Sequence, residues 1–178
     1  MKKFILIYLL PIFCISQTQI GIDIDGENAF DRSGWSVSLS DDGNRLAIGS
    51  PFNAANGAGS GHVKVFQNID NNWTQIGNNI TGEAADDRSG SSVFLSADGT
   101  VLAIGAPRND GNGNNAGHVR VYKSILDNWT QVGNDIDGEA ASNFFGDSIS
   151  LSSDGNILAV GAPLNNGNGT ASGHVRVF

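Results

Sequence analysis

The chain has 178 residues, a formal net charge of −8, 24 glycines and one cysteine. The acidic balance argues against nucleic acid or an anionic membrane as a partner, because both are polyanions. A single cysteine excludes an intrachain disulfide framework, so stability has to come from packing and backbone pairing.

The N-terminus has the pattern of a secretory signal peptide. Lys2 and Lys3 precede an apolar run that ends at Ile15, and the small residue Ser16 follows it. This order of basic start, apolar run and small residue is typical of a signal peptide. The run is shorter than the roughly 20 residues that cross a bilayer. We therefore predict a signal peptide over 1–16, a secreted or cell-surface location and no membrane span after its removal; an uncleaved anchor is the alternative.

Beyond this segment the chain repeats with a fixed period. Gly-His-Val recurs every 56 residues, with its histidine at His62, His118 and His174. The motif Ser-x-Asp-Gly recurs with the same step and ends at Gly43, Gly99 and Gly155. A long fixed period is the signature of a repeat architecture in which each unit is one supersecondary element. We assign the units to 21–76, 77–132 and 133–178, the last being truncated.

The second unit shows which strands each unit contains. Its first run alternates apolar and small polar residues, and Asp98-Gly99 then predicts a hairpin turn. A continuous apolar run follows, as expected for a strand covered on both faces. After a loop rich in Gly and Asn come another alternating run and a shorter one. The predicted strands are 91–96, 101–105, 117–122 and 128–132.

Four antiparallel strands in one unit make a small sheet with two faces to cover. Stacking such sheets face to face around an axis covers both faces, which is a β-propeller. We predict an all-β fold: residues 17–178 form a partial β-propeller of four-stranded antiparallel blades, about three of them in an open arc. Small residues such as Ser36 suit the crowded centre, and Trp73 and Trp129 suit the outermost strand. A β-helix and an outer-membrane barrel fit the strand lengths and turns less well.

The third unit contains two short signatures. Phe145-Gly146 precedes Gly161-Ala162-Pro163, and the second unit keeps Gly105-Ala106-Pro107 but has Ser89-Gly90 in place of the Phe-Gly pair. This pattern resembles the FG-GAP repeat, the blade unit of integrin-α-type propellers and of many exported bacterial proteins. The resemblance covers 21–178. It implies an extracellular propeller used for adhesion or ligand binding, usually without a catalytic role.

The chain departs from the calcium-binding members of that family. Those members carry an Asp-rich loop between the first two strands of a blade, whereas here the connection is Ser-x-Asp-Gly with Asp42, Asp98 or Asp154. One carboxylate cannot supply the roughly six to eight oxygens that calcium prefers. The resemblance to the family makes calcium binding possible, but the shortened turns of this chain do not support it. We predict no metal, no cofactor and no catalytic residue.

Acidic residues cluster before each predicted first strand. They could form weak cation or ligand sites at one mouth of the propeller. Turn chemistry favours solvated turns whose carboxylates cap backbone N–H groups. The residues are Asp23, Asp25, Glu27, Asp31, Glu83, Asp86, Asp87, Asp135, Asp137 and Glu139.

Three further patterns have structural interpretations. Asp31-Arg32 and Asp87-Arg88 predict local ion pairs, which aromatic packing at Phe144-Phe145 replaces in the third unit. The repeated histidines could share a metal only at the axis. Since the third strand lies away from the axis, we predict hydrogen-bonded structural histidines. The loop 109–115, with its single carboxylate, predicts a flexible turn.

These observations together favour a non-enzymatic, exported binding or adhesion scaffold with a protein or glycan ligand. The alternatives are the propeller portion of a larger extracellular enzyme, such as a hydrolase or lyase, and a purely structural spacer. Propellers close with about 4–8 blades, so we expect the sequence to be a fragment of a longer chain. Its expected partners include the missing blades or further copies of itself.

Overall fold

The computed structural model describes residues 18–178, so the signal peptide predicted over 1–16 lies outside the described residues. Within 18–178 the regular elements are all strands. That part of the chain contains no helix long and apolar enough to cross a membrane.

The strands form three antiparallel sheets that follow one another along the chain. The first contains β1 (Ser36–Leu39), β2 (Arg45–Ser50), β3 (His62–Ile69), β4 (Asn72–Gln75) and β5 (Ile80–Thr81). The second contains β6 (Ser92–Leu95), β7 (Val101–Ala106), β8 (His118–Ile125), β9 (Asn128–Gln131) and β10 (Ile136–Asp137). The third contains β11 (Ser148–Leu151), β12 (Leu158–Ala162) and β13 (His174–Val177).

The predicted order of four strands is confirmed, but the fourth, outermost strand consists of two separate pieces. In the second sheet β9 pairs with the far end of β8, and the two-residue strand β10 pairs with its start. Gly133, with a φ of 72°, lies between the two pieces. A left-handed residue turns the chain out of the ladder, so the outer strand is split in two. The sequence pattern had shown only its first half.

The three sheets stack face to face. β1 lies against β6, and β6 lies against β11. One face of the second sheet, with Val93 and Leu102, packs into a core with Val63 and Val65 of the first sheet. Its opposite face contributes Ala103 and Val119 to a second core with Leu151, Leu158 and Val160. The all-β fold of propeller-like blades is therefore confirmed, while the number of blades in the whole propeller stays a prediction.

The Ser-x-Asp-Gly turns are closed by their own side chains. The Ser96 hydroxyl donates to Asp98 Oδ1 at 2.6 Å and accepts from the backbone N–H of Val101 at 2.9 Å. Asp98 also accepts from the backbone N–H of Thr100 at 2.9 Å. The same serine–aspartate bond recurs in the other two turns at 2.6 Å. Each aspartate is thus occupied in stabilising its hairpin.

The loop 109–115 is also tied down by hydrogen bonds. Asn109 Oδ1 accepts from the backbone N–H of Gly111 at 2.8 Å, and Asp110 accepts from that of Asn115 at 2.7 Å. Asn112 donates to the carbonyl oxygen of Gly138 at 2.8 Å. The single carboxylate of this loop therefore serves the loop itself.

Candidate functional site

A pocket of about 540 Å³ opens where the innermost strands begin, and we call it the mouth pocket. Residues just before β1, β6 and β11 meet there with residues that follow β2 and β7. Antiparallel pairing places the start of one strand beside the end of the next, so these segments gather at the same edge of each sheet. The lining is Arg32, Trp35, Phe52, Arg88, Ser91, Pro107, Arg108, Phe144 and Asp147.

One aromatic ring of the mouth pocket lies against two guanidinium groups. The Phe52 ring centroid is 4.0 Å from the Arg32 guanidinium carbon and 3.9 Å from that of Arg88. Trp35 meets Phe52 edge to face at 5.8 Å, and its side chain is 56% exposed. Ring contacts of this kind hold arginines in place while their N–H donors stay available.

A third arginine makes the mouth pocket cationic. Burial lowers the pKa of Arg88, and the nearby charges of Arg108 and Arg32 lower it further, against the attraction of Asp86. Among residues 18–178 the buried Nε of Arg88 has no hydrogen-bond partner. The lining holds three arginines and one carboxylate, Asp147, in a chain whose net charge is −8. An anion placed here would reduce the repulsion between the guanidinium groups and could accept their N–H donors.

The side chains that line the mouth pocket differ from one unit to the next. Arg32 and Arg88 correspond to Phe144 in the third unit, and Trp35 corresponds to Ser91 and then to Asp147. The glycines and buried apolar strand positions keep their type across the units instead. The repeat thus supplies a common frame for three different sets of pocket side chains.

The predicted ion pairs within Asp31-Arg32 and Asp87-Arg88 are wrong, and Arg88 instead lies 3.6 Å from the exposed carboxylate of Asp86. Asp31 is buried and accepts from the side-chain amide of Asn53 at 2.7 Å and from the backbone N–H of Asn28 at 3.2 Å. Arg32 and Arg88 have left-handed φ values of 52° and 60°. The left-handed arginine turns the backbone, so the preceding aspartate points into the loop and the arginine points into the mouth pocket.

The second aspartate repeats this arrangement. Asp87 is buried and accepts from the Ala84 backbone N–H at 2.9 Å and from Asn109 at 3.2 Å. Both aspartates cap backbone N–H groups, as turn chemistry favours, but they are buried rather than solvated. In the third unit Phe145 is fully buried and meets Phe178 edge to face at 6.3 Å, which confirms the predicted aromatic packing.

The repeated histidines do not stand alone, because each one faces a glutamate from the acidic segment before its blade. The Nδ1–Oε2 distances are 4.0 Å for His62 and Glu27, 3.9 Å for His118 and Glu83, and 3.9 Å for His174 and Glu139. A basic residue two positions along the same strand contacts the other oxygen of each glutamate: Lys64, Arg120 at 3.5 Å and Arg176 at 3.6 Å. We call these three groups the His–Glu–basic clusters.

Sequence reasoning treated these histidines and acidic residues separately and missed the clusters. Their signal was the constant spacing of 35 residues between glutamate and histidine, as from Glu83 to His118. The prediction of hydrogen-bonded histidines is wrong for one buried nitrogen in each unit. In the part of the chain that the structure describes, His62 Nδ1, His118 Nε2 and His174 Nε2 have no hydrogen-bond partner.

Comparison with known proteins identifies the repeat. The FG-GAP repeat family matches residues 81–122 and 135–178. The chain contains FG-GAP repeats. The first match begins at the end of β5 and reaches into β8. The second begins just before β10 and extends past β13. Each match therefore ends at the third strand of the following blade. FG-GAP repeats typically occur in extracellular proteins.

No curated protein sequence matches this FG-GAP repeat chain. Among solved structures, a proposed 6-phosphogluconolactonase from Bacteroides uniformis aligns with a TM-score of 0.56 and 17% identity, over 79% of this chain and 36% of that one. Hydrazine synthase of Kuenenia stuttgartiensis aligns with a TM-score of 0.47 and 13% identity, over 80% and 33%. The chain therefore spans about a third of the length of these structures. At such identity the likeness to the Bacteroides protein shows the fold alone.

Proposed function

We propose that this FG-GAP repeat chain is part of an exported, non-enzymatic binding scaffold, and that its mouth pocket binds an acidic glycan. The observation that carries the proposal is the Phe52 ring contacted by Arg32 and Arg88, with Arg108 lining the same pocket. Guanidinium groups bind carboxylates through paired N–H donors. Exposed aromatic surface such as that of Trp35 offers an apolar face for a sugar ring.

The composition of the mouth pocket favours binding over hydrolysis. Glycoside hydrolysis commonly uses two carboxyl groups on either side of the scissile bond, and the lining of this pocket has Asp147 alone. We therefore propose that an acidic glycan is held and released unchanged. The family resemblance to adhesive propellers agrees with this role.

The experiment is a titration of the purified chain with oligogalacturonate and with its fully methyl-esterified, uncharged form. We expect binding of the acidic form only, weakened by salt because exposed charge pairs are screened. R88A and R108A should each weaken binding about tenfold or more, since hydrogen bonds to charged groups contribute roughly 1.5–3 kcal/mol. K123A is the matched control, because Lys123 is an exposed cation that does not line the mouth pocket.

Each alternative gives a distinct result. Shortened oligosaccharides after incubation would indicate the propeller portion of an enzyme rather than a binding scaffold. Binding of an acidic peptide, but of no glycan, would keep the scaffold and replace its ligand class. No binding of either ligand, in a chain that melts cooperatively, would favour the structural spacer.

A further inference from the structure

The second of the three His–Glu–basic clusters has an additional carboxylate. Asp135, which precedes β10, brings Oδ2 to 3.5 Å from His118 Nδ1. Glu83 brings Oε2 to 3.9 Å from the same nitrogen. The three ligand atoms lie within 4.8 Å of one another. One nitrogen and two carboxylate oxygens thus converge in the groove between the first two blades.

Each carboxylate of this cluster is oriented by a second group. The other oxygen of Asp135 accepts from the side-chain amide of Gln131 at 2.6 Å. The other oxygen of Glu83 lies 3.5 Å from Arg120, whose guanidinium also donates to the carbonyl oxygen of Thr81 at 2.8 Å. Partners of this kind fix the direction of metal ligands in known sites. Here they turn one free oxygen of each carboxylate toward His118.

The imidazole is placed as a ligand rather than as a surface group. The His118 side chain is 1% exposed, and its Nδ1 lies 3.5 Å from Asp135 Oδ2 and 3.9 Å from Glu83 Oε2.

We propose that Glu83, His118 and Asp135 bind one divalent transition-metal ion of the zinc class, with water completing the coordination. Ligand atoms about 2.0–2.2 Å from zinc in a tetrahedron lie roughly 3.3–3.6 Å apart. The distance from His118 Nδ1 to Asp135 Oδ2, 3.5 Å, lies within this range, and the distance to Glu83 Oε2, 3.9 Å, lies above it. Two carboxylates beside one guanidinium leave a net negative charge for the cation. The proposal does not depend on the mouth pocket.

The first unit supplies a natural comparison. Asn79 stands 56 residues before Asp135, and it accepts from Gln75 at 2.8 Å as Asp135 accepts from Gln131. Glu27 and His62 occupy the places of Glu83 and His118. The two sites therefore differ in one ligand, an amide in place of a carboxylate. A hard carboxylate oxygen binds a dication far better than a neutral amide does, so of these two units the second has the complete set of ligands.

The test measures metal stoichiometry on the chain purified without an affinity tag. Equilibrium dialysis against Zn²⁺ and the visible absorption of Co²⁺ should both report one ion per chain. D135N should weaken binding at least roughly tenfold, as loss of even an outer partner does in known sites. N79D should raise the stoichiometry toward two. Both side chains are partly exposed, and thermal melting checks that each variant folds.

Stoichiometric binding that D135N weakens at least roughly tenfold and N79D duplicates would establish the site. Absence of Zn²⁺ and Co²⁺ binding by the folded wild-type chain would overturn the proposal. Equal binding by wild type and D135N would also overturn it, because the ion would then lie elsewhere.

Discussion

Gly105 on β7 lies directly against the backbone carbonyl oxygen of Gly146 in the next blade, so closely that a β-carbon at position 105 would overlap this oxygen. The same β-carbon would also meet the Ser92 hydroxyl, which itself donates to the Gly146 carbonyl oxygen at 2.7 Å. Gly49 and Gly90 repeat this approach between blades one unit earlier. Gly49 and Gly105 are therefore required for a blade-to-blade contact and not for a positive φ, whereas their partners Gly90 and Gly146 have φ values of 86° and 90°.

We expect Gly105→Ala to destabilise the chain by about 1–3 kcal/mol or more, because overpacking forces two backbones apart. Gly161→Ala is the matched control. It would meet only the Ser148 hydroxyl, which can rotate away. Urea unfolding of both variants measures the difference. Equal losses would show that the glycine matters within a blade rather than between blades.

The serine of each hairpin turn should control the acidity of its aspartate. The Ser40 hydroxyl, followed by the backbone N–H and side chain of Asn44, lowers the pKa of Asp42 from 3.8 to about 2. We expect Ser40→Ala to raise this pKa toward 3.8. Carboxyl chemical shifts followed by NMR across acidic pH measure it, with Asp98 as an internal reference that retains Ser96. An unchanged Asp42 pKa in the variant would show that the backbone donors suffice.

The stability of the chain should fall as the pH drops below about 6.5. Burial lowers the pKa of His62 below 6.5, the Lys64 charge lowers it further, and Glu27 and Asp31 oppose the shift. Between that lowered pKa and 6.5 the unfolded chain binds more protons than the folded one, so the free energy of unfolding decreases with decreasing pH. Above about 6.5 both states are neutral at this site and stability is unaffected.

Urea midpoints between pH 8 and 5 test this dependence. His62→Gln should reduce the slope without removing it, because the pKa of His118 is lowered by burial in the same way. A slope unchanged by the substitution would mean that His62 protonates equally easily in both states.

The outer face of the first blade should drive self-association. Val37 and Leu39 are 61% and 55% exposed, whereas the equivalent Val93 and Leu95 of the second blade are 7% and 2% exposed because the first blade covers them. Burial of apolar surface stabilises by about 25 cal/mol per Å², so the uncovered face favours contact with another copy.

Sedimentation velocity over a concentration series measures this association. The double variant V37S/L39S should shift the chain toward monomer. I69S is the control, since Ile69 is a comparably exposed residue at the end of β3. A wild-type chain that stays monomeric at all concentrations would contradict the prediction.

Much of the fold could be predicted because it depends on local chemistry. Asp98-Gly99 specifies its hairpin through bonds within five residues, and the alternation of Val93 and Leu95 specifies the buried face of β6. These patterns recur every 56 residues, so each unit predicts the others. The break between β9 and β10 escaped prediction, since the strand resumes for only two residues.

The sites could be predicted far less well, because their members come from distant segments. Asp31 and Arg32 look like an ion pair in sequence, yet the backbone between them sends one side chain into the loop and the other to Phe52. Glu83, His118 and Asp135 belong to a linker, a strand and the next linker.

The sequence by itself determined the repeat, the strands, the turns and the FG-GAP family, because periodicity and turn chemistry act over a few residues. Only the tertiary structure decided which side chains meet: the arginines around Phe52, the carboxylates around His118, and Gly105 against Gly146. These contacts depend on how one blade is placed against the next. That placement results from the packing of whole sheet faces, which no short pattern encodes.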